Sequence, residues 1–248
     1  MIAGDLLLAR FARLAADNAA DEVQAALLVN RLLSPSLDET VVRRALHALI
    51  PASGESPWSL LARLGWKVGD RAILDLDNSR LDYLLANGRG IPITLALVLV
   101  DVARRAGVQA WGLNAPGHFL ARVDRAVIDP AVMQPLPLVV DYGRATTVDI
   151  GMRMLNNVKH GALSQAAPHM ALAALDCQLA MAETLGEGGL CATLHMEAAE
   201  CWASLQAKEE AKEAFERCLS FAEPGSRLAQ VATLRLKAVA NRQGPTLH

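Results

Sequence analysis

The sequence lacks a long apolar run and a recognisable export signal. Its longest apolar stretch, Ile91 to Val100, has ten residues with Thr94 among them. A helix that crosses a bilayer needs about twice that length. The first residues carry Asp5 and Arg10, and no apolar stretch there ends in a small-residue cleavage site. We therefore expect a cytoplasmic protein that does not associate with membranes.

Excess charge of one sign is also lacking, and aromatic side chains are scarce. The 248 residues include 24 Lys and Arg against 26 Asp and Glu, and only 4% are aromatic. Proteins that bind nucleic acids usually present a basic surface to the phosphates and, for single strands, aromatic rings on which bases stack. The composition therefore argues against a nucleic-acid partner.

Cysteine is absent from the first two thirds of the chain. The four cysteines, Cys177, Cys191, Cys201 and Cys218, have spacings that match neither a zinc site nor a disulfide framework. We expect them to be reduced thiols that pack between helices. No glycine-rich phosphate-binding loop follows a predicted strand. The sequence therefore indicates no metal and no organic cofactor.

What the sequence does contain is a series of helical patterns. Between Asp5 and Ile50 the apolar residues recur at spacings of three and four, which predicts three amphipathic helices. Ser36 and Glu39 have the spacing of a capping box, in which each side chain accepts a hydrogen bond from a free backbone N–H. The third helix is therefore predicted to begin near Leu37.

Two short helices are predicted next. Ser56 followed by Pro57 is typical of a helix start, and the apolar spacing continues to Leu64. A second helix follows Asn78 and Ser79 and is predicted to end at residues 87–88, an Asn-Gly pair that accepts left-handed backbone geometry.

The centre of the chain predicts a buried helix followed by a small sheet. The helix begins at Pro92 and stops at Gly107. Residues 108–115, 118–123 and 126–130 are rich in β-branched and aromatic side chains and are separated by turn residues, which predicts antiparallel strands. The proline-rich stretch 133–138 is predicted to be a surface loop.

Helical spacing returns from about Gly151 to Ala240. Within it, residues 194–225 show small and large side chains at positions that resemble one degenerate tetratricopeptide unit closed by Pro224. Two interpretations remain open for this stretch, a true repeat unit and an ordinary helical hairpin.

Three short motifs in the central segment resemble a known family. They are GRGIPITLA (88–96), PGHFLAR (116–122) and VIDP (127–130), and their order and spacing resemble the core of transglutaminase-like cysteine enzymes. In that family a cysteine at the start of a buried helix attacks the substrate, a histidine takes its proton, and an aspartate orients the imidazole. His118 and Asp129 match the histidine and the aspartate.

The cysteine itself is missing. At the position that the resemblance implies, near Pro92 and Thr94, the chain has no thiol. Thr94 carries the nearest hydroxyl, but a threonine in a first helical turn usually bonds a backbone carbonyl, and it is a far weaker acid than a thiol. The usual triad is therefore excluded, and we expect a pseudoenzyme without catalytic residues.

The closer resemblance is to a bacterial family in which this altered core is joined to tetratricopeptide-like helices. It is supported also by LGWKVGD (64–70), LDLDNSRLDYLL (74–85) and RMLNNVK (153–159). The resemblance implies an α+β fold. Residues 1–150 would form a papain- or transglutaminase-like core of N-terminal helices and a small antiparallel sheet, and residues 151–248 would form tetratricopeptide-like helices.

The candidate binding residues each allow two interpretations. His118 either faces a ligand as an inherited triad base or is satisfied by a neighbouring carboxylate such as Asp129. Asn78, Ser79 and Arg89 either line the former substrate cleft or serve as a helix cap, its neighbour and a solvated charge.

The functional hypothesis that follows is a protein-binding or regulatory module. One alternative is a residual amidohydrolase or acyl transferase in which His118 and Asp129 activate water or Thr94. Another is a helical scaffold. The expected partner is a protein whose identity the sequence does not reveal, and whether the chain forms a homodimer is left open.

Overall fold

The computed structural model describes residues 3–17, 21–137 and 142–241, and they form an α+β structure in which helices predominate. The helices are α1 (Asp5–Ala16), α2 (Glu22–Leu33), α3 (Glu39–His47), α4 (Pro57–Arg63), α5 (Leu81–Asn87), α6 (Pro92–Arg105), α7 (Thr147–Ser164), α8 (Pro168–Leu185), α9 (Gly188–Ser204), α10 (Lys208–Phe221) and α11 (Arg227–Asn241). The strands are β1 (Lys67–Val68), β2 (Arg89–Gly90), β3 (Ala110–Ala115), β4 (His118–Val123), β5 (Ala126–Asp129) and β6 (Gln134–Pro135). None of the helices in these ranges is both long and apolar enough to span a membrane.

Contacts divide the chain into two compact units. One unit combines residues 1–16 with residues 166–248, and the other contains residues 17–165. The boundary expected at residue 150 falls inside α7, which packs on α2 within the second of these units. The division therefore comes after α7, and α1 belongs with the C-terminal helices because it packs on α8.

The three N-terminal helices are confirmed, but the start of α3 differs from the prediction. Asp38, not Ser36, caps this helix, because its carboxylate accepts a hydrogen bond from Thr40 N at 2.9 Å. The predicted capping box does not form. The Glu39 carboxylate instead accepts a hydrogen bond from Arg31 Nε at 3.1 Å, and a charge-assisted bond is stronger than one from a neutral backbone donor.

The helix boundaries between residues 56 and 107 follow the predicted signals. Ser56 caps α4 by accepting a hydrogen bond from Ser59 N at 3.2 Å. α5 ends at Asn87 and is followed by the C-cap Gly88, whose φ of +66° lies in the left-handed region. α6 begins at Pro92 and is buried along most of its length, so it forms the centre of its unit as predicted.

The small antiparallel sheet is confirmed and has the strand order β3-β4-β5-β6, with α6 packed on β3 and β4. Its last strand corrects a prediction, because Gln134–Pro135 pairs with β5 inside the stretch 133–138 that was predicted as a loop. Leu138 lies outside the described residues. Proline is tolerated in β6 because this strand lies at the sheet edge, where one side needs no N–H donor. β1 and β2 form a separate parallel pair just before α6.

The other unit contains only helices among its described residues. α9 packs on both α8 and α10, and α10 packs on α11, which confirms the helical prediction for this part of the chain. The stretch 194–225 covers the second half of α9 and all of α10. Its assignment as a tetratricopeptide unit stays a prediction.

One histidine in this unit is buried without a polar partner. The His195 ring of α9 stacks on the Phe221 ring of α10, with centroids 5.7 Å apart and planes 15° from parallel. Its side chain is among the buried polar groups, at 9% exposure, and Nε2 has no hydrogen-bond partner. Burial lowers the pKa of His195 and outweighs the opposing effect of Glu183.

Candidate functional site

The start of α6 is the position where the resemblance implies a nucleophile. The chain enters it through β2, and Ile91 N donates a hydrogen bond to Asn78 O at 3.0 Å. Gly90 is needed here because a Cβ at this residue would lie 2.6 Å from Thr94 Oγ1. Pro92 occupies the first helical turn, where it needs no N–H donor. The backbone around the missing cysteine is therefore tightly packed.

Thr94 has the only side-chain hydroxyl within α6, and it is fully committed to the backbone. The residue is 0% exposed. Its Oγ1 accepts a hydrogen bond from Ile91 N at 3.0 Å and donates to Ile91 O at 2.9 Å, with Asn78 O within reach at 3.3 Å. A nucleophile has to meet its substrate and give up a proton to a base. This hydroxyl does neither, so it serves as a structural cap of α6.

The cysteines offer no replacement thiol. All four lie in the helical unit and are buried. Burial raises the pKa of Cys177, Cys191 and Cys218, which keeps these thiols protonated at neutral pH. A protonated, buried thiol is neither a nucleophile nor a metal ligand. Among the described residues, no group of three or more histidine, cysteine and acidic side chains is placed to hold a metal ion.

His118 and Asp129 lie near each other in the sheet without forming a pair. His118 begins β4, is exposed and lies opposite Ala115, and Asp129 ends β5. Continuing the β4–β5 register by one position sets Asp129 opposite Leu120. The Asp129 carboxylate accepts a hydrogen bond from Ala131 N at 2.8 Å. No hydrogen bond joins His118 and Asp129, so neither the triad geometry nor the satisfied histidine considered from the sequence is formed.

Asn78 and Ser79 are buried structural residues. Asn78 Nδ2 donates to Ala72 O at 3.0 Å, and its amide packs so closely on Gly69 that a Cβ there would lie 2.2 Å from Oδ1. Ser79 is 0% exposed, and its hydroxyl has no hydrogen-bond partner. Neither residue faces solvent in this structure, and neither caps α5 through its side chain as the alternative interpretation predicted.

The cap of α5 comes from a residue that sequence reasoning missed. Asn30 of α2 is fully buried, and its Oδ1 accepts a hydrogen bond from Leu81 N at 2.8 Å. Its Nδ2 donates to Asp82 Oδ1 at 2.9 Å. The only signal for this role is one asparagine in an otherwise apolar part of α2. A partner about fifty residues further along the chain gives no local pattern.

Arg89 is partly exposed. Its side chain is 35% exposed, and Nη1 lies 3.6 Å from Asp70 Oδ1, too far for a hydrogen bond. The same nitrogen is buried and has no hydrogen-bond partner. Of the three residues predicted around the former cleft, Arg89 is thus the one whose side chain is partly exposed.

Arg153 is a second residue that the sequence did not single out, although it lies in the motif RMLNNVK. From α7 it donates from Nη1 to Asn114 Oδ1 at 2.5 Å and to Ala115 O at 3.0 Å. Its guanidinium carbon lies 5.8 Å from the centre of the Phe119 ring. Desolvation lowers the pKa of Arg153. The residue therefore fixes the end of the β3–β4 hairpin that carries His118.

Comparison with known families concerns this part of the chain. Residues 58–136 match the model of the transglutaminase-like superfamily. This segment is transglutaminase-like. It runs from α4 to β6 and contains Thr94, His118 and Asp129, so the resemblance seen in the motifs is confirmed for it. The match covers less than half of the chain and does not extend to α8–α11.

Curated relatives match over a similarly limited length. Two UPF0162 proteins from the Temecula1 and 9a5c strains of Xylella fastidiosa are 37% identical to this chain over 78 residues, which is 31% of this chain and 27% of each relative. A UPF0162 protein from Pseudomonas aeruginosa is 35% identical over 85 residues, 32% of each chain. The chain thus spans about a third or less of the relatives it matches. No solved structure matches the chain.

Proposed function

We propose that this chain is a catalytically inactive, transglutaminase-like protein that acts by binding another protein. The main support for the proposal is that the Thr94 hydroxyl is buried and hydrogen bonded. The group that stands nearest to the nucleophile position is 0% exposed and hydrogen bonded to its own helix start. Acyl transfer needs a nucleophile that can reach the substrate carbonyl, and the described residues offer none at this end of α6.

The arrangement of the other two triad positions supports the same proposal. An activated histidine needs a hydrogen-bonded carboxylate to fix its tautomer and stabilise its charge. Asp129 instead uses its carboxylate to close the turn at Ala131. Without this partner His118 remains an exposed imidazole, which suits contact with a partner better than proton transfer. The residual amidohydrolase therefore has no observation in its favour.

Polar groups that are exposed and unsatisfied are the ones able to contact a partner. In the transglutaminase-like segment His118 at the start of β4 is such a group, and the Arg89 side chain in β2 is partly exposed, although its Nη1 is buried. Arg153 makes the hairpin beneath His118 rigid, and a rigid surface lowers the entropy cost of binding. These features favour recognition by the former substrate side of the domain.

The first experiment tests for catalysis. Purified protein is incubated with a glutamine-containing acceptor protein and a fluorescent primary amine, and with the same acceptor alone to detect ammonia release. We expect no turnover above the level of the His118→Ala variant. Turnover that disappears in His118→Ala but persists in His160→Ala, an exposed histidine of α7, would refute the inactive assignment.

The second experiment tests for binding. Wild-type protein and an Arg89→Ala, His118→Ala double variant are used as bait in native lysate, and retained proteins are identified by mass spectrometry. We expect a partner that the wild type and His160→Ala retain and that the folded double variant loses. A partner retained equally by all three would place binding outside the former cleft. Retention of no specific protein would contradict the proposal.

A further inference from the structure

A cleft of about 490 Å³ lies at the C-terminal end of α6. Its lining includes Arg104, Trp111 and Arg144, with residues 107–110 between them. Because an α-helix rises about 1.5 Å per residue, the end of α6 lies about 20 Å from its start. The cleft is therefore separate from the positions of Thr94 and the former nucleophile.

Arg104 forms a fixed wall of this cleft. Its Nε donates to Ala110 O at 2.7 Å, and both terminal nitrogens donate to the carboxylate of Glu22, one of them at 2.8 Å. Glu22 is buried. These bonds hold the guanidinium in one orientation and raise the pKa of Arg104. Its charge is matched by that of Glu22.

Arg144 faces the same carboxylate but is not bonded to it. Its Nη2 lies 3.8 Å from Glu22 Oε1, and its side chain is 64% exposed. The backbone is held in place, because residue 144 bridges to Leu113 of β3 and Ala145 N donates to Gly112 O at 2.8 Å. Two guanidiniums thus share one carboxylate. Asp21 and Asp101 act on Arg104 as well, but at longer range than Glu22.

Trp111 supplies an apolar surface beside these charges. Its indole is half-buried and packs on a small cluster that includes Leu113 and Leu120 on one face of the sheet. Packing on buried side chains restrains the ring, so a ligand that stacks on it pays little additional ordering entropy. The cleft therefore combines a restrained aromatic face with the exposed guanidinium of Arg144, which lies 3.8 Å from the Glu22 carboxylate.

We propose that this cleft binds a carboxylate carried on an apolar group. A guanidinium fork accepts a carboxylate through two parallel hydrogen bonds, and the Trp111 face suits an aliphatic or aromatic body next to it. Two sources share this chemistry, the C-terminal carboxylate of a protein chain and a free organic acid.

The test uses the whole 248-residue chain and four probes. They are 3-phenylpropanoate, its neutral amide, an acetylated Leu-Phe dipeptide with a free carboxylate, and the same dipeptide as an amide. Binding is followed by NMR of the tryptophan indole N–H resonances, with that of Trp111 assigned from the Trp111→Phe variant. We expect saturable shifts of the Trp111 resonance by the two acids, and about tenfold weaker binding of the amides.

Two variants test whether the acids bind at Arg144. Arg144→Gln should weaken acid binding by about tenfold or more, because it removes a charge-assisted bidentate contact. Arg125→Gln is the matched control, since Arg125 is exposed in the β4–β5 turn and lies outside the cleft. Unfolding temperatures confirm that each variant is folded. Stronger binding of the dipeptide acid would identify a protein C-terminus as the ligand, and stronger binding of phenylpropanoate a free acid.

Three results would overturn the proposal. They are equal binding of acids and amides, unchanged acid affinity in Arg144→Gln, and the absence of saturable shifts with every probe. The proposed protein-binding function does not depend on these outcomes, because its test uses Arg89 and His118 at the other end of α6.

Discussion

The buried amide of Asn30 offers a direct test of how α2 is held against the transglutaminase-like segment. The Asn30→Leu substitution keeps a side chain of similar volume and removes both hydrogen bonds. Leu81 N then loses its acceptor inside the protein, which costs about 1–3 kcal/mol. Loss of the bond to the Asp82 carboxylate costs about 1 kcal/mol more, because Arg80 continues to satisfy that group. We therefore expect Asn30→Leu to lower the free energy of unfolding by about 2–4 kcal/mol in total.

The assay has to report on residues 17–165 alone. Trp58, Trp66 and Trp111 lie in that unit and Trp202 lies in the other, so urea unfolding is followed by tryptophan fluorescence in a Trp202→Phe background. The expected decrease in the free energy of unfolding is read from the urea curve. In a thermal experiment on the same variant, it corresponds to a decrease in unfolding temperature of about 10 °C for a domain of this size. The control is Asn87→Leu, an exposed asparagine whose bond to Tyr83 O lies at the surface. An Asn30→Leu variant as stable as this control would refute the tertiary cap.

Three further predictions concern other described residues. Thr94→Val should lower the free energy of unfolding by about 1–2 kcal/mol and Thr94→Ser by less, as measured in urea, because only serine keeps the helix-capping hydroxyl. Gly161→Ala should lower the free energy of unfolding by about 1–3 kcal/mol, measured by thermal unfolding, because the added Cβ would lie 2.4 Å from Ile73 O. Gly189→Ala should raise it by about 0.5–1 kcal/mol, because there is open space around Gly189 and alanine favours the helix. Because the pKa of His195 is lowered in the folded protein, the unfolded chain binds a proton at a higher pH than the folded chain does. The free energy of unfolding should therefore be constant above about pH 6.5 and decrease below it, by at most about 1.4 kcal/mol per pH unit. Urea unfolding followed through the fluorescence of the helical unit measures this slope, and His195→Phe should reduce it.

Several boundaries were predictable because a single residue decides each of them. The Ser-Pro pair at 56–57, Gly88 and Pro92 each restrict the backbone locally, and each lies at the helix end that the sequence predicts. The start of α3 was different, since Ser36 and Asp38 are both good caps. The choice depended on Arg31, which takes the Glu39 carboxylate that a capping box would need.

In the candidate site, too, some features could be predicted from the sequence and others depend on tertiary structure. The absence of a cysteine at the start of α6 can be read from the sequence, and so can the order of the motifs around that position. The separation of His118 from Asp129 depends on strand register and on the turn bond at Ala131, which no local pattern specifies. The burial of Ser79 and the role of Asn30 likewise depend on packing between elements far apart in the chain.

The place of α1 has a consequence for how the protein is made. The helical unit combines residues 1–16 with residues 166–248, and residues 17–165 are inserted between these two parts. During synthesis the inserted unit is complete before the surface of α8 that α1 covers has been translated. The inserted unit therefore has all of its contacts available first, whereas α1 can pack on α8 only after most of the chain has been translated. A fragment of residues 17–165 is consequently expected to fold when it is expressed alone. A fragment that begins at residue 166 would lack α1 and leave an apolar face of α8 exposed to solvent.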